Sequence, residues 1–220
     1  IITDKNLLIK LKEEISTVIN AAANVRHFGN EEKFRKINVT GVGNLVDFCI
    51  ENNKKLIHTS TLSVSGNILE TGQVFQDDIP KGTIYNENNL YIGQNLDNIY
   101  AYTKFLGEKV VLDAICNKGL DAKIMRMGNL TGREFDGKFQ PNVSENAFAN
   151  RLKTFIELGV LPENILDFYL EFTPIDYAAK SVILLSKLCN DYNVFHLFNH
   201  KHIQMEEVDR IFNSMGINLK

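Results

Sequence analysis

Short apolar segments rich in β-branched residues alternate with longer segments of helical periodicity along most of this chain. Strands are expected over 17–22, 56–59, 122–127, 169–172 and 194–198. Phe34, Ile37, Gly41, Leu45 and Phe48 recur at helical spacing and predict a helix over 32–52. Further helices are expected over 98–117, 145–158, 175–188 and 205–215, with Gly119, Gly159 and Gly216 at three of their ends. Such alternation specifies a mostly parallel sheet covered by helices on both faces, wound by right-handed crossovers. In sheets of this kind ligands bind beyond the carboxyl ends of the strands, so the residues after each strand are those to read for chemistry. The polar, Asn/Gly/Asp-rich stretch 67–98 is too long for a simple connection and is expected to act as a lid or flap.

Composition narrows the function classes. The 220 residues are 44% hydrophobic and 23% charged, with net charge −3, ordinary for a globular protein with a sizeable core. Lysines are spread along the chain, so no nucleic-acid partner is expected. No apolar run approaches the length that spans a bilayer, so no membrane partner is expected either. Cys49, Cys116 and Cys189 lie far apart in apolar stretches without metal-ligand spacing. They read as reduced, buried thiols of a cytoplasmic protein, with no metal site. The opening, Ile1-Ile2-Thr3-Asp4-Lys5, has neither an initiator Met nor a signal peptide and reads like the interior of a longer sequence.

Five groups of residues fall where chemistry is expected. Tyr100 and Lys104 are four apart on one predicted helix and project from one face. An ammonium beside a phenol favours the phenolate, and the lysine is able to hydrogen-bond a ribose as well. The same spacing also arises on solvated helix faces, where Lys104 would pair with Glu108. The second strand ends at Thr59 and runs into Ser60, Thr61 and Ser63, and a hydroxyl there is able to donate to a substrate carbonyl oxygen as charge develops. Turn formation is an equally ordinary use of such hydroxyls. Ala21, Ala22 and Ala23 follow the first strand and either admit a flat ligand or serve close packing. Asn38 interrupts the apolar stripe of its helix and needs buried partners, a neighbouring backbone group or a water. Gly128 and Asn129 follow the third strand and permit close approach of a ligand to the backbone.

In this order the pieces resemble the extended short-chain dehydrogenase/reductase superfamily. They are Val18-Ile19-Asn20-Ala21-Ala22-Ala23, Asn38-Val39-Thr40-Gly41, Thr59-Ser60-Thr61 with Val64-Ser65-Gly66, Tyr100-Ala101-Tyr102-Thr103-Lys104, Arg126-Met127-Gly128-Asn129, and Pro174-Ile175-Asp176-Tyr177-Ala178-Ala179. A narrower likeness is to the terminal thioester reductase domains of nonribosomal peptide synthetases. Asn88 to Leu96, Gly128-Asn129-Leu130-Thr131-Gly132-Arg133, Asp136-Gly137-Lys138-Phe139-Gln140 with Asn146-Ala147-Phe148, Leu170-Glu171-Phe172-Thr173-Pro174 and Phe195-His196-Leu197-Phe198-Asn199 carry it.

The resemblance implies an α/β, Rossmann-like doubly wound parallel sheet with a small C-terminal substrate lobe, truncated at its N-terminus. Residues 1–135 would form a partial NAD(P)-binding unit and 136–220 mainly the substrate side, with 168–200 partly returning to the core. Thr61, Tyr100 and Lys104 would be catalytic. Ala21, Ala22, Ala23, Asn38, Thr59, Lys104, Gly128 and Asn129 would face an NADPH cofactor. Ser63, Arg133 and Phe148 would face substrate. The implied activity is NADPH-dependent reductive release of an acyl or peptidyl thioester from a phosphopantetheinylated carrier domain, served by upstream synthetase modules, as an aldehyde or, after a second hydride, an alcohol. Nucleotide-sugar epimerases or dehydratases, fatty acyl reductases and a non-catalytic dinucleotide-sensing or interaction module are the alternatives on the same fold. The family's glycine-rich phosphate loop has no counterpart here. The one Gly-x-Gly, Gly41-Val42-Gly43, falls inside a predicted helix, and Val46 stands where a third glycine would fall.

Overall fold

The computed structural model describes residues 4–66, 84–143, 146–189 and 191–220. Strands β1 (Thr17–Asn20), β2 (Lys55–Thr61), β3 (Ala122–Met127) and β7 (Val194–Leu197) form one parallel sheet in the order β1-β2-β3-β7. Its register sets Asn20 beside His58, His58 beside Ile124, Ser60 beside Arg126 and Arg126 beside His196. The fold is Rossmann-like, as the strand–helix alternation requires. The smaller strands are β4 (Leu130–Thr131), β5 (Tyr169–Glu171), β6 (Thr173–Pro174) and β8 (His202–Gln204). β4 pairs with β6 in parallel and β5 with β8 antiparallel.

The helices are α1 (Lys5–Glu14), α2 (Glu31–Arg35), α3 (Gly41–Glu51), α4 (Ile99–Lys118), α5 (Ala147–Leu158), α6 (Ile175–Ser186) and α7 (Met205–Ser214). Capping residues fix several starts. The Asn30 side chain accepts from Lys33 N, Asn98 from Tyr100 N and Ala101 N, and Asn146 from Ala149 N. Between α2 and α3 the backbone widens into one π-helical turn, Lys36–Thr40. The helix expected over 32–52 is therefore one helical run with a bulge in it. Gly41 and Gly43 lie in α3, not in a phosphate-binding loop. β1 stops at Asn20, two residues short of expectation, because the Asn20 side chain turns forward to accept from Ala22 N.

Successive side chains alternate across β2. Leu56 packs with Val42, Val46, Cys49, Val111 and Ile124 in the core under α3 and α4. Ile57 packs on the other face with Met125, Val182 and Leu197, covered by α6. A third apolar cluster, around Leu161, Met205 and Val208, joins α5, α7 and the β5–β8 ribbon. Cys49 is buried, but Cys116 and Cys189 are exposed, contrary to the expectation for all three. Cys116 lies in the last turns of α4, and Cys189 lies three residues past the end of α6, where the chain turns to solvent. Among the described residues no helix is long and apolar enough to cross a membrane.

Candidate active site

The carboxyl ends of β1, β2 and β3 and the first turns of α4 bring together most of the residues that the sequence pointed to. Thr61, the last residue of β2, is 8% exposed. Its hydroxyl donates to Ser63 Oγ at 3.1 Å and accepts from Ser63 N at 3.2 Å, capping the short 3-10 turn Leu62–Ser65. The Thr61 side chain lies close to the Tyr100 phenol. Burial raises the phenol above its usual range, and the neighbouring Thr61 pulls the other way. The expected depression of Tyr100 by Lys104 is not found, because the Lys104 ammonium is turned toward the sheet.

Lys104 Nζ donates to Thr59 O at 2.5 Å and is 3% exposed. Burial lowers its pKa to about 8, against an opposing pull from Glu108. Lys104 and Glu108 do not form the solvated pair that helical spacing allowed. Glu108 is buried and joined instead to Arg126, whose Nη2 lies 2.8 Å from Glu108 Oε2. Arg126 also donates to Asn86 O and Asn89 O and stacks on Tyr85. It thus pins residues 84–90 against the far side of α4.

The turn after β1 carries Ala21, Ala22 and Ala23 past the Asn20 side chain. Asn38, in the π turn, accepts from Asn24 N at 2.8 Å and donates to Asn24 O and Thr103 Oγ1, both at 3.0 Å. Of the alternatives open to it, binding the neighbouring backbone is the one adopted. Thr59 Oγ1 donates to Asn20 O at 2.9 Å, tying β2 to the same turn. Beyond β3, Gly128 N donates to Leu197 O, and Asn129 N donates to Glu171 Oε2 at 2.6 Å. The Glu171 carboxylate also accepts from Asn199 N at 2.9 Å and from Thr173 Oγ1. Glu171 was missed as a site residue. Its sequence signal was its place in Leu170-Glu171-Phe172-Thr173-Pro174, one of the segments that carry the reductase likeness.

The proposed substrate residues are less closely gathered. Ser63 is on the Thr61 turn. Arg133 is held two-pronged by Asp136, at 2.9 and 2.6 Å, in the turn 133–138. Phe148 packs edge-on against Phe172, centroids 5.2 Å apart, beside the third apolar cluster. Of the expected flap, 67–83 lies outside the described residues. The rest is anchored by Gln94, which is buried and donates to Val64 O at 2.9 Å and Leu90 O at 2.7 Å. Gly66 has φ +60°, and a side chain there would run into the Asn95 backbone.

These residues suit a nicotinamide dinucleotide. Lys104 has three N–H donors, one of them directed at Thr59 O, and the Thr59 hydroxyl donates to Asn20 O at the head of the Ala21–Ala23 turn. A family profile described as Male sterility protein, an NAD-binding family, matches residues 4–182. The chain belongs to this family of extended short-chain dehydrogenase/reductases. The chain is 35% identical to a thiolation-reductase di-domain from an archaeal non-ribosomal peptide synthetase, with a TM-score of 0.85 over 98% of this chain and 45% of that one. It is 25% identical to the aureusimine biosynthetic cluster reductase domain, TM-score 0.75, over 94% of this chain and 52% of that one. Probable polyketide synthase 34 of Dictyostelium discoideum is 25% identical over 92% of this chain. The chain spans about half the length of those two solved reductase structures and 6% of that synthase.

Proposed function

We propose that this chain carries the nicotinamide-side half of an NADPH-dependent reductase that releases an acyl or peptidyl thioester from the phosphopantetheine arm of a carrier domain as an aldehyde. The convergence of Thr61, Tyr100 and Lys104 at the carboxyl end of β2 supports this most strongly. The similarity to reductase domains of peptide synthetases supports the substrate class.

When bound, the reduced nicotinamide supplies a hydride. The hydroxyls of Thr61 and Tyr100 donate to the thioester carbonyl oxygen and stabilise the negative charge that grows on it. Tyr100 holds the proton that the oxygen takes up. Lys104, fixed by Thr59 O, offers its remaining N–H groups to the ribose hydroxyls. The small side chains of the Ala21–Ala23 turn leave room for that ribose and ring, while Gly128 makes room for the Glu171 carboxylate. The carrier thiol then leaves, and the collapse of the tetrahedral adduct gives the aldehyde.

Two measurements test the reading. NADPH and NADH binding to this chain is compared by titration, and turnover of an acyl-phosphopantetheine thioester is followed in a polypeptide that also carries a glycine-rich phosphate loop. Tyr100→Phe is expected to abolish most turnover with cofactor affinity nearly intact. Undiminished turnover in Tyr100→Phe would sink the assignment.

A further inference from the structure

His58 is the most deeply enclosed histidine among the described residues, 1% exposed in the sheet core. It lies on the face of β2 that packs under α4, in line with Asn20 of β1 and two residues before Ser60. Asn20 Oδ1 accepts from Ala22 N at 3.2 Å, so it is the Asn20 Nδ2 amide that faces His58 Nδ1, at 3.1 Å. An amide N–H only donates. Nδ1 must therefore be the bare acceptor, and the imidazole proton must sit on Nε2. Asn20 is held at both ends: His58 takes its N–H, and Ala22 fills its oxygen.

The other side of the ring is unmatched. His58 Nε2 and Ser60 Oγ are both buried and have no hydrogen-bond partner among the described residues. They are neighbours on one face of one strand, and a buried donor and hydroxyl left without partners are each destabilising. Lys104 approaches the same face from α4 on its way to Thr59 O. Glu108 of α4 and Arg126 of β3 are committed to each other one row further on. The core on the α3 side supplies Val42, Val46 and the Cys49 thiol, which burial raises to about 11 and so keeps uncharged. A water seated between Nε2–H and Ser60 Oγ is the chemistry that fits: it accepts from the imidazole, donates to the hydroxyl, and is able to accept from Lys104.

We propose that His58, in the Nε2–H tautomer, is a positioning residue that locks the Asn20–Ala23 turn through Asn20 and shares with Ser60 a buried water beside Lys104. Its effect on cofactor binding rests on the reading of that turn and of Lys104 given above; its tautomer, its water and its hold on Ala22 do not. The burial of His58 and the nearby Lys104 both oppose a charge on the ring. A second proton would also take away the Nδ1 lone pair and release Asn20.

The test uses the isotope-labelled 220-residue chain and nuclear magnetic resonance. Long-range nitrogen–proton correlations of the ring are expected to give the Nε2–H tautomer of His58, unchanged between about pH 5 and pH 8. Magnetisation transfer from that Nε2–H to a long-lived water is expected as well. His58→Phe is expected to speed Ala22 amide exchange by roughly fivefold or more, the effect of one lost hydrogen bond in the chain that holds it. His58→Asn, whose Oδ1 takes the place of Nδ1, is expected to restore it. An Nδ1–H tautomer, or Ala22 exchange that is the same in all three proteins, overturns the positioning role. A ring N–H without a water contact overturns the hydration site. Should His58→Phe fail to fold, the tautomer in the unaltered chain decides. A locked tautomer together with absent NADPH binding would retain this inference and remove the cofactor reading instead.

Discussion

Lys104 Nζ and the Thr59 carbonyl oxygen are 2.5 Å apart, in a place where Lys104 is 3% exposed. A lysine so enclosed is easier to deprotonate in the folded chain than in the unfolded one, about 8 against 10.5. Between those values the unfolded chain binds more protons, so this group makes stability rise with pH from about 8 upward. Cys49 acts with the opposite sign between 9.0 and about 11, since its folded pKa is the higher one. The two separate below pH 9. Urea unfolding at pH 7.5 and pH 9 is expected to show a gain from Lys104 of up to about 1 kcal/mol, absent in Lys104→Met. An equal slope in both proteins would mean that Lys104 titrates as though in water.

Glu108 and Arg126 are both fully enclosed. Removing one charge leaves the other uncompensated, so Glu108→Gln and Arg126→Met are each expected to lose about 3–5 kcal/mol in denaturant unfolding. The double variant is expected to lose much less than the sum, with Arg126→Met also loosening residues 84–90. Additive losses would contradict a tightly coupled pair.

Gly66 combines a positive φ with close contact to Asn95. Gly66→Ala is expected to cost roughly 1–3 kcal/mol and to free the segment that Gln94 ties to Val64. Limited proteolysis should then cut near 90–95 sooner than in the parent chain. Unaltered stability and cleavage would show that the turn accommodates a side chain.

Among the described residues β1 is at the edge of the sheet and has no charged residue, and Ile19 on it is 48% exposed. Bare edges of this sort pair with other chains. Ile19→Lys is expected to lower self-association, measured by sedimentation at rising concentration, with stability changed by no more than about 0.5 kcal/mol. If association is the same, another surface carries it.

Periodicity made much of the parallel sheet and the helix run ending at Glu51 legible, whereas Ile99–Lys118, with no one-sided apolar face, was legible from its Asn98 start and Gly119 stop. The 122–127 strand lies where its sequence placed it. Residues whose roles depend on partners distant in sequence were harder to read. Nothing around Asn38 signals the π turn, which is a matter of one extra residue accommodated against α4, where Gly107 leaves room for the Asn38 carbonyl. Arg126 read as part of a ligand-facing turn, yet its partner Glu108 lies 18 residues away, and only the sheet register puts the guanidinium under α4. His58 resembles any polar interruption of a strand until Asn20 is seen beside it. The short strands β4, β6 and β8 carry no periodic signal at two or three residues each.

Glu171 belongs to two neighbourhoods at once. Its backbone pairs with His202 in the β5–β8 ribbon, while its carboxylate grips the amides of Asn129 and Asn199, which follow β3 and β7. A rotation of the ribbon, with α5 and α7 riding on it, would therefore act as a lever on those two amides. What the smaller cluster does when a large guest arrives would be felt at the mouth of the sheet through a single side chain.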